Sequence, residues 1–289
     1  MNKSRENWLG KVAVVTGGGS GLGRELALCC ARKGMHVVLA DMNEAGMGET
    51  VTRIQALAPT VRTLIRTVDV SSLEQMQNLA TTTMEEFGGV HLLFNNAGVG
   101  VKAAPIWEYT LDDWQWVTNI NIYGVAWGVK AFVPIMLEQN DGHIVNTASA
   151  AGWLNGPASG VYNVSKCGVV ALSESLLMDL RDAQTTIGVS VLCPAFFASA
   201  IADCEANRPD DLSNTAPDTS IGRQRSEEVK FAMTRGRKSA ADIAAITFAG
   251  IEAEQFYIFP HSKIKSLILG RAEALQRDEA FNTLEGRGS

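Results

Sequence analysis

The sequence lacks an excess of basic residues. Lys and Arg total 25 against 31 Asp and Glu, which gives a formal net charge of -6. Nucleic acids and anionic membranes attract proteins through positive fields, and this chain has none along its length. We therefore expect neither nucleic acid nor a membrane among its partners.

Paired cysteines and long apolar runs are also missing. The five cysteines form no C-x-x-C pair, so we expect neither a disulfide framework nor a bound metal. Residues 1–10 contain no apolar run of the kind that a signal peptide needs. The richest apolar stretch, residues 124–137, contains Lys130 and Pro134, which interrupt it within the ~18 residues of a membrane span. These absences predict a cytoplasmic protein without a transmembrane helix.

The composition itself is that of a globular protein. Hydrophobic residues make up 46% of the chain and charged residues 19%, far from the composition of disordered proteins. A length of 289 residues suits one large α/β or barrel-type domain, with two small domains as the weaker alternative. We take residues 1–289 as a single domain.

Short β-branched runs alternate with longer helical patterns up to about residue 260, which is typical of βαβ units on a parallel sheet. The predicted strands are 11–16, 36–40, 61–68, 91–94, 143–147, 188–192 and 256–259. The predicted helices are 22–33, 44–57, 73–87, 111–138 with a disturbance near Pro134, 161–181 and 240–252. This pattern predicts a single doubly wound α/β domain of Rossmann type, in which helices flank a seven-stranded parallel sheet.

Two segments depart from this alternation. Residues 203–238, after the sixth strand, are polar, and a loop of this length inside a domain is usually a functional lid or disordered. We expect a helical lid here. The extension 262–289 has a helical pattern over 265–280 and carries no residues that suggest chemistry.

A glycine-rich turn, Thr16–Gly23, follows the first strand and leads directly into a helix. Glycines allow positive φ angles and close approach to a pyrophosphate, and the helix start adds N–H donors. No Gly-Lys-Ser/Thr closes the turn, which excludes a Walker loop. A glycine turn kept for packing alone is the competing interpretation. The fitting glycines, Gly17, Gly21 and Gly23, give the pattern T-G-x-x-x-G-x-G.

Asp41 ends the second strand, about 20 residues beyond the turn. A carboxylate there accepts hydrogen bonds from the adenosine ribose and repels a 2′-phosphate, so Asp41 favours NAD over NADP. No Lys or Arg lies within the turn, which agrees. Taken alone, Asp41 is equally well a solvated acid at a strand end.

Tyr162 and Lys166 lie four positions apart on a predicted helix, so their side chains share one face. A tyrosine has an ordinary pKa near ~10, and a neighbouring ammonium favours its phenolate. Y-x-x-x-K alone is a weak signal that chance often supplies. Together with the residues around it, the pair indicates that Tyr162 can act as a base at neutral pH.

Three further polar features accompany this pair. Ser149 ends the fifth strand at the carboxyl edge of the sheet, where its hydroxyl is placed for a substrate oxygen, although a lone serine there is more often a cap. Asn95-Asn96-Ala97-Gly98 ends the fourth strand and either braces the central strands or borders the adenosine side. Asparagine has a low helix propensity, so Asn121 within an apolar helix suggests a buried hydrogen-bonding role.

The ordered set T-G-x-x-x-G-x-G, N-N-A-G, Asn, Ser and Y-x-x-x-K resembles the short-chain dehydrogenase/reductase family over residues 11–260. The resemblance implies that Tyr162 is the general acid/base and Lys166 lowers its pKa and holds the nicotinamide ribose. It implies that Ser149 orients the substrate oxygen and Asn121 holds a relay water. The resemblance implies NAD binding at Gly17, Ser20, Gly21, Leu22, Gly23, Asp41, Asp69, Val70, Asn95, Ala97, Gly98, Tyr162, Lys166, Pro194 and Ser199.

In that set, Asp69 matches the residue that binds the adenine amino group, and Asn95 matches a structural asparagine. One departure concerns the segment after the sixth strand, where the family has Pro-Gly and then a threonine. Here Pro194 is followed by Ala195, and Ser199 keeps a hydroxyl at the threonine position. Ala195 in place of glycine implies a different backbone at the position where Ser199 is expected to contact the nicotinamide carboxamide.

The expected reaction is hydride transfer between a secondary alcohol and NAD. Small or apolar residues near the site, with Trp153, Phe196 and Phe197, suggest a roomy aromatic-lined pocket, unless the phenylalanines only pack the base of the lid. The lid, P-A-F-F and the tail resemble bacterial Cα-dehydrogenases, which oxidise the benzylic alcohol of lignin-derived β-aryl ethers.

Three alternatives to that substrate stay open: a dehydrogenase of steroids or sugars, a reductase of acyl-carrier thioesters, and a non-catalytic NAD-sensing regulator. Asp41 opposes the thioester reductase, for which NADP is expected, and the presence of all four catalytic groups opposes the regulator. The resemblance also implies a homodimer or homotetramer that associates through helices 111–138 and 161–181.

Overall fold

Seven strands form one parallel sheet in the computed structural model, which describes residues 7–197, 201, 205, 207–212, 219–234 and 238–281. The strands are β1 (Val12–Thr16), β2 (His36–Asp41), β3 (Thr63–Thr67), β4 (Leu92–Asn95), β5 (His143–Thr147), β6 (Gly188–Leu192) and β7 (Tyr257–Ile258). Their order across the sheet is β3-β2-β1-β4-β5-β6-β7. The order reverses between β1 and β4, and ligands of doubly wound sheets bind at this crevice, beyond the carboxyl ends of the strands.

Helices cover both faces of the sheet. They are α1 (Gly21–Arg32), α2 (Glu44–Leu57), α3 (Leu73–Phe87), α4 (Leu111–Thr118), α5 (Gly124–Gln139), α6 (Gly160–Asp182), α7 (Ser220–Thr234), α8 (Ala240–Glu252) and α9 (Lys263–Gln276). Alternate residues of β1 belong to different cores: Ala13 packs with α1, α2 and α8, whereas Val14 packs with α3, α5 and α6. Strands buried on both faces explain the continuous apolar runs in the sequence.

The predicted fold class is confirmed, including the seven strands and the helix in the lid region. The sixth strand has the bounds that its sequence predicts, whereas β7 has only two residues, at the edge of the sheet. The lid region contains a 3-10 turn (Asp210–Leu212) and α7; its other residues lie largely outside the described part of the chain. The tail helix is α9.

The predicted long helix over 111–138 is present as a continuous helical run, Leu111–Gln139, but the predicted place of its disturbance, near Pro134, was wrong. A π-helical turn, Asn119–Tyr123, separates α4 from α5, and Pro134 lies inside α5, which continues to Gln139. The disturbance therefore falls at Asn121 and not at Pro134. A π turn takes one extra residue, and such turns are frequent at functional sites.

The stretch Leu111–Gln139 is the one segment among the described residues that is long and apolar enough to cross a membrane by length and composition. The sequence analysis expected no such helix. Phe132 and Met136 of α5 are fully buried in the core against the sheet. A core helix of an α/β domain passes the same test of length and apolarity, and these contacts identify α5 as one.

Candidate active site

The turn between β1 and α1 is shaped by its glycines. Gly17 and Gly21 have φ angles of 68° and 50°, which side chains disfavour. A Cβ on Gly23 would lie 2.0 Å from the carbonyl oxygen of Gly17. Ser20 makes no side-chain hydrogen bond to the first turn of α1, and the Leu22 side chain packs into the core. Backbone amides therefore form this cradle, which suits a pyrophosphate.

Asp41 lies beside this turn, where its position in the sequence predicts it. Its Oδ2 accepts a hydrogen bond from the Gly19 amide at 2.9 Å, and its Oδ1 accepts one from the Asn43 amide at 2.9 Å. From the other side, Arg24 donates to the carbonyls of Gly19 and Gly46 at 2.6 and 3.1 Å. A carboxylate has about four acceptor positions, so Asp41 can brace the turn and still accept from ribose hydroxyls.

Asp69 and Val70 lie in the loop between β3 and α3. Asp69 accepts a hydrogen bond from the Ser71 amide and donates its own amide to Gln75, each at 2.9 Å. Val70 is buried, and a Cβ on Gly124 would lie 2.8 Å from its Cγ2. This loop is therefore fixed against the start of α5.

Asn95 is placed inside the sheet. It is 2% exposed and donates to Asn146 Oδ1 on the neighbouring strand at 2.9 Å. A Cβ on Gly128 would lie 1.9 Å from Asn95 Oδ1, so α5 crosses directly over it. Of the two interpretations of this asparagine, these contacts favour a brace between the central strands, and contact of Asn95 with the cofactor stays a prediction.

Ala97 and Gly98 connect the glycine turn to the catalytic side. Thr16 Oγ1 accepts from the amides of Asn96 and Ala97 at 2.9 and 3.0 Å, and Asn96 donates its side-chain amide to the Thr16 carbonyl at 3.0 Å. A Cβ on Gly98 would lie 3.4 Å from Lys166 Nζ. The sequence placed Thr16 in the turn and Asn96 in the motif that ends β4, but it did not indicate that the two residues hydrogen-bond to each other.

Lys166 and Tyr162 share one face of α6. Lys166 Nζ lies 5.7 Å from the centre of the Tyr162 ring and donates to the Thr147 carbonyl at 2.9 Å. Lys166 is 3% exposed, and burial lowers its pKa to about 8. At neutral pH the ammonium is still mostly protonated. It therefore places a positive charge beside the phenol, which favours the phenolate.

Ser149 follows β5 at the same edge. Its Oγ accepts from the Ala151 amide at 3.1 Å and donates to the Pro194 carbonyl at 3.4 Å. The second contact is long for a hydroxyl bond and therefore weak, so the proton is available to a better acceptor. A Cβ on Gly152 would lie 2.7 Å from the Lys166 carbonyl, so the turn after Ser149 packs directly on α6.

Asn121 joins the π turn to both neighbouring segments. Its Oδ1 accepts from the Val99 amide at 2.8 Å, and its Nδ2 donates to the Val99 carbonyl at 2.9 Å and to Ser165 Oγ at 3.0 Å. Ser165 in turn donates to the Tyr162 carbonyl at 2.8 Å. The predicted buried hydrogen-bonding task is therefore present, and Ser165 is a supporting residue that the sequence analysis missed.

The three aromatic residues expected to line the pocket have different positions. Trp153 packs edge-on against Tyr257, with ring centres 5.5 Å apart, and also contacts Phe259. Phe197 packs against the core, which agrees with the alternative that it supports the lid. Phe196 is exposed. Phe196 is therefore the most exposed of the three, and Trp153 and Phe197 are partly buried.

His261 and the C-terminal extension that follows it contact the loops beside the site, although the sequence of the extension suggested no chemistry. His261 Nδ1 accepts from the amide of Ala195, the residue that replaces the expected glycine, at 3.1 Å. Arg271 of α9 donates to the Trp153 carbonyl at 2.5 Å. Ser199, which was predicted to contact the cofactor, lies outside the described residues.

A family model described as short chain dehydrogenase matches residues 11–209. A curated relative, the "CLA biosynthesis dehydrogenase/reductase" of Lactiplantibacillus plantarum, is 31% identical over 274 residues, which cover 93% of this chain and 94% of the relative.

Solved structures are similar over nearly the whole chain. A short-chain dehydrogenase/reductase from Burkholderia phymatum in complex with NAD has a TM-score of 0.92 and 44% identity, covering 96% of this chain and 98% of the other. LigD from Sphingobium sp. strain SYK-6, in its apo form, has a TM-score of 0.76 and 25% identity, covering 94% and 99%.

Proposed function

Because the chain belongs to the short-chain dehydrogenase family, we propose that it is an NAD-dependent oxidoreductase that interconverts a secondary alcohol and its ketone. NAD, when bound, supplies the hydride acceptor. The turn suits a dinucleotide, since Gly17 and Gly21 have positive φ angles and a Cβ on Gly21 would meet no atom within 4 Å, which leaves room for a pyrophosphate. The similarity to the NAD complex from Burkholderia phymatum and the carboxylate of Asp41 both support NAD.

The observation that carries this proposal is the buried Lys166 ammonium beside Tyr162. In the oxidation direction the Tyr162 phenolate takes the proton of the alcohol while the hydride leaves its carbon. Lys166 stabilises the phenolate electrostatically and is itself held by the Thr147 carbonyl. Ser149 donates its loosely held proton to the substrate oxygen and keeps that oxygen near Tyr162.

Asn121 supports this arrangement through its side-chain hydrogen bonds. Its three hydrogen bonds connect Val99, next to Gly98, with α6 through Ser165. A water held at the π turn would link Lys166 to solvent. The proton that Tyr162 takes from the alcohol would leave to solvent along this path. We assign this relay to Asn121, as the family resemblance implies.

We further propose that the substrate is a benzylic secondary alcohol, with the Cα alcohol of lignin-derived β-aryl ethers as the specific candidate. The resemblance of the lid, P-A-F-F and the tail to the Cα-dehydrogenases supports this choice, as does the exposed Phe196, which precedes the lid region. The other candidates are secondary alcohols of steroid, sugar or similar type.

The direct test is conversion of a panel of benzylic, steroid and sugar secondary alcohols, followed by NADH absorbance with NAD and NADP compared. We expect turnover of benzylic alcohols with NAD, and no turnover of a matched tertiary alcohol, which has no hydride to give. Turnover of sugars or steroids alone would reject the benzylic assignment. NAD binding without conversion of any alcohol or ketone would instead favour a regulatory sensor.

Asp41→Ala should weaken the preference for NAD. The substitution removes the charge that repels a 2′-phosphate, so the ratio of kcat/KM for NADP to that for NAD should rise at least about tenfold. The affinity for NAD should also fall, because Gly19 and Asn43 lose their acceptor. Glu44→Ala, an exposed acid at the start of α2, is the control. An unchanged NADP to NAD ratio would contradict the ribose role of Asp41.

A further inference from the structure

A buried ionic cluster lies outside the groups that the reaction uses. Arg208 donates from Nη2 to Asp113 Oδ1 at 2.6 Å, from Nε to Glu205 Oε2 at 2.8 Å, and from Nη1 to the Leu212 carbonyl at 3.0 Å. Its guanidinium lies 4.3 Å from the centre of the Trp116 ring. The side chains of Arg208 and Asp113 are 4% and 1% exposed. We call Asp113, Glu205 and Arg208 the Arg208 clasp.

The clasp joins three parts of the chain. Asp113 belongs to α4 and closes its capping box by accepting from the Thr110 amide at 2.9 Å. Glu205 accepts from the Lys102 amide at 3.2 Å, which brings in the segment between β4 and α4. Arg208 itself follows β6. The clasp therefore fixes the start of the lid region to the segment that leaves β4.

The apolar cluster next to the clasp contains residues that adjoin the proposed site residues in the sequence. Leu212 packs in one cluster with Val99, Trp116 and Val161. Val99 follows Gly98 and is held by Asn121, and Val161 precedes the catalytic tyrosine on α6. The carbonyl that Arg208 holds is that of Leu212 itself. The clasp therefore fixes the position of the Leu212 backbone beside this apolar cluster.

The energetics of buried ion pairs also indicate that the clasp serves to position the segments that it joins. Burying an ion pair costs desolvation that its attraction only partly returns, and apolar residues of similar volume often stabilise a protein as well or better. The fork of a guanidinium, in contrast, fixes the direction of each partner. A buried Arg208 with carboxylates on two segments is therefore suited to hold those segments in one arrangement.

We propose that Arg208 is a positioning residue that holds Leu212 as a wall of the substrate site and so sets the size of alcohol that the enzyme accepts. The proposal rests on the proposed alcohol dehydrogenase function. Loss of the clasp lets the wall move away from the site. A small alcohol then loses contacts, whereas a larger alcohol gains room.

The test compares two benzylic secondary alcohols, 1-phenylethanol and 1,2-diphenylethanol, in the wild type, Arg208→Met and Arg208→Lys. We expect Arg208→Met to change the ratio of their kcat/KM values in favour of the larger alcohol by about tenfold, mainly through KM. Arg208→Lys keeps the charge without the fork and should show a smaller change in the same direction. The dissociation constant of NAD should stay within about twofold of the wild type.

Arg225→Met is the matched control, because Arg225 lies on α7 and pairs only locally with Glu228 among the contacts described for it. Equal losses for both alcohols, or a parallel loss of NAD affinity, would overturn the proposal. Should Arg208→Met fail to fold, Glu205→Gln removes one charge at the same size and must shift the ratio in the same direction. An unshifted ratio in that variant would also overturn it.

Hydrogen exchange separates this proposal from the proposed function. Without the clasp, amides of residues 99–104 should exchange faster in Arg208→Met than in the wild type, whether or not any alcohol is converted. Unchanged exchange there would overturn the clasp. If the wild type converts no alcohol while exchange in the variant rises, the dehydrogenase function fails and the size-selection proposal fails with it, but the clasp stands as the link between the two segments.

Discussion

The buried ammonium of Lys166 carries a cost in stability. Burial lowers its pKa from 10.5 to about 8, which corresponds to about 3 kcal/mol in favour of the neutral form. Between pH 8 and 10.5 the unfolded chain therefore binds more protons at this site than the folded chain. The contribution of Lys166 to the free energy of unfolding is unfavourable below pH 8 and is relieved as the pH rises toward 10.5.

Lys166→Met should remove this dependence and activity together. Relative to the variant, the wild type should gain about 3 kcal/mol in free energy of unfolding between pH 7 and 10.5, measured by denaturant titration. Lys265→Met, an exposed lysine of α9, serves as the control and should show no such gain. A difference between wild type and Lys166→Met that is independent of pH would show that burial costs the ammonium nothing.

The π turn at Asn119–Tyr123 shows what a side chain can do to a helix. Local propensity and apolar periodicity predict a continuous helix, and the competing signal is one asparagine. Its hydrogen bonds to Val99, 22 residues away, hold the turn in place. Such a long-range contact is not encoded in the local pattern, which is why the sequence predicted the burial of Asn121 but not the π turn.

Asn121→Ala should destabilise the protein by roughly 2–4 kcal/mol, because both the amide and the carbonyl of Val99 lose their partner in a buried place. Asn119→Ala in the same π turn is the control for helix propensity. The measurement is the shift in denaturant midpoint at constant slope. A loss from Asn121→Ala no greater than that from Asn119→Ala would contradict the bridging role.

The catalytic residues could be predicted from the sequence where they are close together in the chain. Contacts between residues far apart in the chain could not be predicted. Tyr162 and Lys166 share a helix face by spacing alone, and Ser149 follows from the end of β5. Every residue has a backbone carbonyl, so the sequence does not indicate that the Thr147 carbonyl holds Lys166. The contact of His261 with Ala195 likewise depends on a residue 66 positions away, after β7.

At the scale of the whole molecule, the tail and the lid region act on the site that the sheet provides. β1 and β4 supply the crevice, and residues far beyond β6 hold the loops around it. The sheet followed from the alternation of strands and helices, whereas these tail contacts did not. We propose that residues 1–289 fold as one domain for this reason.

We also propose a homodimer or homotetramer through α5 and α6. Val164 and Met178 of α6 and Leu137 of α5 are large apolar side chains exposed in the single chain. Sedimentation at micromolar concentration should give a dimer or tetramer, and Met178→Glu should shift it toward smaller species. Leu275→Glu, on exposed α9, should not. A wild-type monomer would contradict this proposal.

In the proposed reaction, Tyr162 moves the proton. The most direct test of this role is the turnover of a benzylic alcohol by Tyr162→Phe, with the dissociation constant of NAD measured in parallel and Tyr257→Phe on β7 as the control. We predict that kcat falls by about 10²–10⁴-fold while NAD affinity stays within about twofold. A Tyr162→Phe enzyme that keeps kcat within a few-fold of the wild type would contradict the account.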